Sequence, residues 1–292
     1  MRRHACACSL LVLVLATACA PEDAEQPADL RLEVMSFNIR WDVPGRDGAN
    51  EWARRRTQVY ELLRDPDLDV VGLQEATPGQ LADIRAAVPA LEAHSADPVM
   101  NGIAILYRRD RFRLAQSGAF WFSPTPDVPE SRDWSSATRR HVCAWVRLVD
   151  KESGRAFYLY DLHLDLNAAS RRKSVVLLGE RIAARTPKDP VIVVGDFNAA
   201  EAAAPSRYLR GEIELGRRIP EPLVDTFRVV DPDARNVGTG NGFRGRTTGA
   251  KIDYIYVEPG TAVLAAAIDR RHVDGAYPSD HFPVTATIVL DD

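Results

Sequence analysis

The sequence predicts an α/β protein built from two packed sheets with helices on their outer faces. Eleven segments read as strands and only three as helices, which excludes a simple doubly wound sheet, where the two alternate. Several of the strand-like segments are continuous Val/Ile/Leu runs, the composition of sheet buried on both faces. Six of the apolar runs end in a polar, chemically capable residue, as expected if one edge of the sheets carries a pocket.

The elements follow from pattern in chain order. Strands are expected at 31–39, 69–74, 102–107, 112–122, 141–149, 156–163, 190–196, 223–229, 251–257, 262–268 and 282–290. Asn50 is a plausible cap for a helix over 51–64, and Thr77-Pro78 opens one over 77–88. Val175, Val176, Leu178 and Ile182 recur at helical spacing within 168–186. The proline-bearing 123–140 and glycine-rich 230–250 segments read as loops at the functional end. No linker divides the body, so one domain over 30–292 is the simplest reading.

The N-terminus is different in kind. Arg2-Arg3 precede an apolar stretch from Leu10 to Ala16, then Thr17-Ala18-Cys19, the pattern of a secretory signal over residues 1–18. Ala16-Thr17-Ala18-Cys19 resembles a bacterial lipobox, which makes Cys19 the candidate lipidation site; ordinary cleavage after Ala18 would release a soluble protein instead. Residues 19–29, acidic and proline-bearing after Cys19, suit a solvated tether. An exported, envelope-tethered lipoprotein is therefore expected, attached to the membrane by its lipid alone. Ala20 after Cys19 favours the outer membrane in a Gram-negative cell; periplasmic or secreted protein is the alternative. Of four cysteines, Cys6 and Cys8 leave with the signal and Cys143 is the only one in the folded body, which excludes an internal disulfide.

The net charge of −4 becomes −6 once Arg2 and Arg3 are removed, so the body has no general attraction for polyanions. Basic clusters occur at Arg54-Arg55-Arg56, Arg108-Arg109, Arg139-Arg140 and Arg171-Arg172-Lys173, most of them expected to be solvated faces. Arg140, with Arg139, is the candidate phosphate contact.

The six polar strand ends are Asn38, Glu75, His163, Asp196 with Asn198, Asp253, and Asp280-His281. Each alone has an ordinary reading: an Asx turn at Asp196, an ion pair at Asp253, a buried histidine at 163. Together they offer the oxygen donors that suit Mg²⁺ or Mn²⁺ better than Zn²⁺, plus imidazoles for proton transfer near neutrality. Phosphoester hydrolysis needs such a set: a cation, a group that orients water, and a donor for the leaving oxygen.

Ser36-Phe37-Asn38, Leu73-Gln74-Glu75, His163-Leu164-Asp165, Gly195-Asp196-Phe197-Asn198, Lys251-Ile252-Asp253-Tyr254-Ile255 and Ser279-Asp280-His281 occur in that order. In this the chain resembles the endonuclease/exonuclease/phosphatase superfamily, over essentially the whole body. The resemblance implies a four-layer α/β/β/α sandwich and a metal-dependent phosphodiesterase, nuclease or phosphatase. It implies Asn38, Glu75 and Asp280 at the metal, Asp196 on the attacking water and Asn198 at the scissile phosphate. His281 would sit at the phosphate, polarised by Asp253, and His163 near the leaving oxygen. The run His163-Leu164-Asp165-Leu166 departs from the bacterial pattern, which places a second histidine at the last position. Substrates in view are a phosphorylated small molecule, a phospholipid head group or nucleic acid, acted on by a monomer. A non-catalytic surface-binding lipoprotein on the same scaffold is the alternative.

Overall fold

The computed structural model describes residues 29–95, 102–134 and 140–290. The signal, the lipobox and Arg139 therefore lie outside the described residues, as does nearly all of the tether.

Two six-stranded sheets face each other. The first holds β1 (Leu30–Asn38), β2 (Val70–Gln74), β3 (Leu91–Ser95), β4 (Ala104–Arg108), β11 (Ala262–Ile268) and β12 (Val284–Leu290), in the order β11-β12-β1-β2-β4-β3. The second holds β5 (Phe112–Trp121), β6 (Val142–Asp150), β7 (Ala156–His163), β8 (Val191–Asp196), β9 (Val224–Asp225) and β10 (Asp253–Val257), in the order β5-β6-β7-β8-β10-β9. Both sheets are mixed: β1 pairs parallel to β2 and antiparallel to β12, and β7 pairs parallel to β8. Leu30 lies opposite Leu290, so the first and last strands share one ladder.

Helices cover both outer faces. α1 (Trp52–Leu63) and α2 (Pro78–Ala87) pack Trp52, Val59, Leu62 and Ile84 against Met35, Phe37, Val71 and Leu73 of the first sheet. α3 (Ala168–Ala183) and α4 (Ala204–Leu209) bury Val175, Leu178, Ile182 and Tyr208 against Tyr158, Tyr160, Val193 and Tyr254 of the second. Between the sheets, Leu32, Val34, Val70 and Ile288 meet Val146, Leu159, Ile192 and Ile255. Alternate side chains of one strand thus serve two cores, which is why these runs are apolar on both faces. The result is the four-layer α/β/β/α sandwich.

Three expectations change. The 223–229 run is a strand only at Val224–Asp225; α5 (Thr226–Val230) follows, started by the Asp225 side chain accepting from the Phe227 N–H. The cap of α1 is Glu51, without a side-chain hydrogen bond, because Asn50 belongs to a 3₁₀ turn (Gly48–Asn50). β3 has no strand counterpart in the sequence reading; its Leu91-Glu92-Ala93-His94-Ser95 is a half-buried edge with little β-branched character. By contrast Thr77 and Gln80 form the capping box of α2.

Candidate active site

The carboxyl ends of β1, β2, β7 and β8, the start of β10 and the loop entering β12 meet at one end of the sandwich. They surround a cleft of about 580 Å³ whose walls include Glu75, His163, Asp196, Asn198, Asp280 and His281. Strand register does the assembly. Asn38 sits opposite Gln74, His163 opposite Asp196, and Asp196 opposite Asp253, so each polar end falls at the same level.

Asn38 is fully buried and bridges two carboxylates, its Nδ2 donating to Glu75 Oε1 and to Asp196 Oδ2 at 3.1 Å each. Its Oδ1 accepts from the Arg40 N–H at 3.0 Å. In this arrangement the amide offers hydrogens toward the carboxylates, and Glu75 and Asp280 are the anionic oxygen donors beside it. Glu75 and Asn198 adopt left-handed backbone, φ 60° and 47°, which non-glycine residues rarely hold. Two site residues in that region are a mark of backbone held for function.

Asp196 stands at the centre, 1% exposed. Its Oδ1 accepts from the Asn198 N–H at 2.8 Å, and its Oδ2 lies 3.3 Å from His163 Nε2 and 3.8 Å from His281 Nε2. Asn198 Nδ2 reaches Leu164 O at 2.8 Å and His163 Nε2 at 2.9 Å. His281 Nδ1 pairs with the buried Asp253 Oδ2 at 2.9 Å. Burial opposes charge on this imidazole, yet Asp253 and Asp196 together hold it well above the usual histidine pKa. Burial raises the Asp253 carboxyl, with the neighbouring Asp196 adding to it. Burial also raises Asp280, and the negative Glu75 adds to it, while His281 and Arg40, the latter 3.7 Å away, oppose.

All eight residues expected at the catalytic and metal positions gather at this end. Asp253 lies behind the cleft wall and acts on it through His281. Lys251, which might have paired with Asp253, is instead buried against Asp225 at 2.7 Å. Arg140 lines the cleft and pairs with Glu130 at 3.1 Å.

Sequence reasoning missed two side chains. Arg55, expected on a solvated face, is 3% exposed and ties four backbone carbonyls: Ile39, Arg40, Asn50 and Pro278. It thereby fixes the chain on either side of Asn38 and Asp280. Its place on the inner stripe of α1, four residues before Val59, was the available signal. His141, read only as the start of a strand, lines the cleft beside His163.

The fold and the cleft define a class: a two-sheet α/β sandwich with an acid–imidazole centre at its strand ends. A family model described as "Endonuclease/Exonuclease/phosphatase family" matches residues 35–281. The chain belongs to this family of phosphoester hydrolases. A family protein from Bacteroides thetaiotaomicron is 29% identical with a TM-score of 0.77, over 91% of this chain and all of that one. The mannosyl-6-phosphatase of B. thetaiotaomicron VPI-5482 is 28% identical with a TM-score of 0.75, over 89% of this chain and all of that one. Uncharacterized protein L388 of Acanthamoeba polyphaga mimivirus is 26% identical over 221 residues, 70% of this chain and 80% of that protein.

Proposed function

We propose that this chain is a Mg²⁺- or Mn²⁺-dependent hydrolase of small phosphoesters, exported and tethered to the cell envelope through Cys19. The observation that carries the reading is the convergence of Glu75, Asp196, Asn198, Asp280 and the Asp253–His281 pair, with His163, on one cleft. A volume near 580 Å³ is that of a small-molecule site. The similarity to a mannosyl-6-phosphatase supports a small phosphorylated substrate, and the acidic body weakens the case for an extended polyanion.

The donor set fits a hard cation. The negative Glu75 disfavours charge on Asp280, and a divalent ion held by these two carboxylates would relieve that crowding. Asn38 completes the set as the amide joining Glu75 to Asp196. Held by Glu75, Asp280 and Asn38, such an ion would supply positive charge against the phosphoryl oxygens. Asp196, fixed by Asn38 and by the Asn198 N–H, orients the attacking water and receives its proton. His281, steadied through Nδ1 by Asp253, turns Nε2 to a phosphoryl oxygen, and Asn198 stands beside it, holding His163.

The test is a panel of sugar phosphates, phosphodiesters, phospholipids, DNA and RNA, assayed with the mature body in Mg²⁺ and again in EDTA. Turnover abolished by EDTA is expected. Asp196→Ala and His281→Ala should each lower kcat at least about 10²-fold, since each removes a proton-handling or charge-stabilising group. Wild-type turnover in both variants would overturn the site. No turnover on any member of the panel, with no Mg²⁺ or Mn²⁺ bound, would instead mark a binding protein on this scaffold.

A further inference from the structure

The cleft carries a second carboxylate–imidazole pair. His141 Nδ1 lies 3.1 Å from Asp133 Oδ2, a carboxylate whose side chain is fully buried. The other oxygen of Asp133 accepts from the buried Ser170 Oγ at 2.5 Å, at the first turn of α3. Ser170, Asp133 and His141 thus form a chain of hydrogen bonds that ends at the cleft. It repeats the Asp253–His281 geometry, with one difference: the support comes from α3 and the 123–134 segment, not from the strand ends.

The positions of the three imidazoles separate their roles. His281 and His163 flank Asp196 Oδ2, and the His141 ring meets the His163 ring edge to face at 6.4 Å. His141 therefore stands on the cleft wall beside His163, while His281 reaches Asp196 from its own side of the site. His163 is badly placed to serve that oxygen through Nε2. The Asn198 amide, held in orientation by its bond to Leu164 O, directs its second hydrogen at that atom. If the ring is protonated there instead, the proton faces Asp196. Either way His163 Nε2 is committed inward. His141 turns Nδ1 to Asp133, with the buried Asp165 carboxylate also within 4.8 Å of this pair, and the ring lines the cleft.

Resting on the hydrolase reading above, we propose that His141 is a further catalytic residue, giving its Nε2 proton to the oxygen that departs from phosphorus. The bond from phosphorus to that oxygen breaks, its electron pair stays on the oxygen, and the proton moves from Nε2 to it. Water supplies the new oxygen on phosphorus, its own proton passing to the opposite side. His141 regains a proton from solvent, and nothing is oxidised or reduced. Asp133 accepts from Nδ1–H and so holds the ring in orientation. Arg140, adjacent in sequence and also on the cleft wall, provides charge beside the same departing group.

A proton donor is needed most when the leaving group is most basic. The experiment compares wild type with His141→Gln on aryl phosphoesters, from p-nitrophenyl to phenyl, in Mg²⁺, using the ester class that the wild type hydrolyses. His141→Gln is expected to stay within about threefold of wild type on the p-nitrophenyl ester and to lose about 100-fold in kcat on the phenyl ester, the scale of general acid catalysis. Asp133→Asn should show the same tilt to a smaller degree, and it carries the test if His141→Gln fails to fold by circular dichroism. Equal loss across the series, or none, would overturn the role while leaving the hydrolase intact. Wild type inactive on every ester would overturn the hydrolase reading and this role with it.

Discussion

Leu166 stands 66% exposed on the wall of the cleft. Being exposed, it contributes little to stability; being at the mouth, it meets what lies beyond the phosphoryl group. Leu166→His should therefore leave the thermal midpoint unchanged, within about 0.5 kcal/mol of stability. It should shift KM on the preferred ester by about three- to tenfold with kcat near wild type, read from full saturation curves. At this scale the sequence was most legible where residues end strands. Asp196 and Asn198 are marked by polarity at the close of an apolar run, and Asp280 and His281 by polarity just before one, so their gathering at one end was expected from sequence. His141 carried no such mark. Its partner Asp133 lies in a proline-rich loop and Ser170 on a helix, so only the folded chain shows that the three connect.

Elements hold the site through a few close approaches. Arg55 crosses from α1 to the carbonyls of Ile39, Arg40 and Pro278, stitching the end of β1 to the loop before Asp280. Arg55→Ala leaves buried carbonyls without donors, and we expect a loss of about 3 kcal/mol or more in denaturant unfolding, with Lys a poor substitute for the planar fork. Gly72 in β2 lies where the two sheets approach closely: a Cβ there would lie 2.3 Å from Val194 Cγ2 and 2.8 Å from Asp161 Cγ. Gly72→Ala should cost about 1–3 kcal/mol by overpacking, measured the same way. Strand boundaries were readable because buried parallel strands are apolar on both faces. The 223–229 run failed because its apolar Leu223, Val224 and Phe227 suit helical as well as extended spacing, and the Asp225 cap decides for the helix.

For the molecule as a whole, the seam between the sheets contains a buried acid. Asp161 is fully buried, and desolvation pushes its carboxyl well above the ordinary range, the bond from Gln74 Nε2 at 2.6 Å opposing only in part. Asp161 Oδ2 and Gln74 Oε1 have no hydrogen-bond partner among the described residues. The native carboxyl stays protonated where the unfolded one ionises. Its contribution is thus fully present below the unfolded pKa, about 3.9, and declines as pH rises toward the native value. Asp161→Asn removes that decline. Its melting temperature should exceed wild type at pH 8–9 and approach it near pH 4, the gap growing by about 1.4 kcal/mol for each unit separating the native and unfolded pKa. A wild type whose stability is flat from pH 4 to 9 would refute this.

The ladder that sets Leu30 opposite Leu290 gives the sandwich a polarity. β1 enters at that corner and delivers Asn38 to the cleft eight residues later, and β12 makes the return trip from beside His281. Entry and exit therefore share one pole and the chemistry occupies the other, about 26 Å away at 3.3 Å per residue. A protein attached through its N-terminal side, whether to a lipid or to an immobilising bead, would present its reactive pole to the surrounding medium. A fusion partner at either end would leave the mouth of the cleft open.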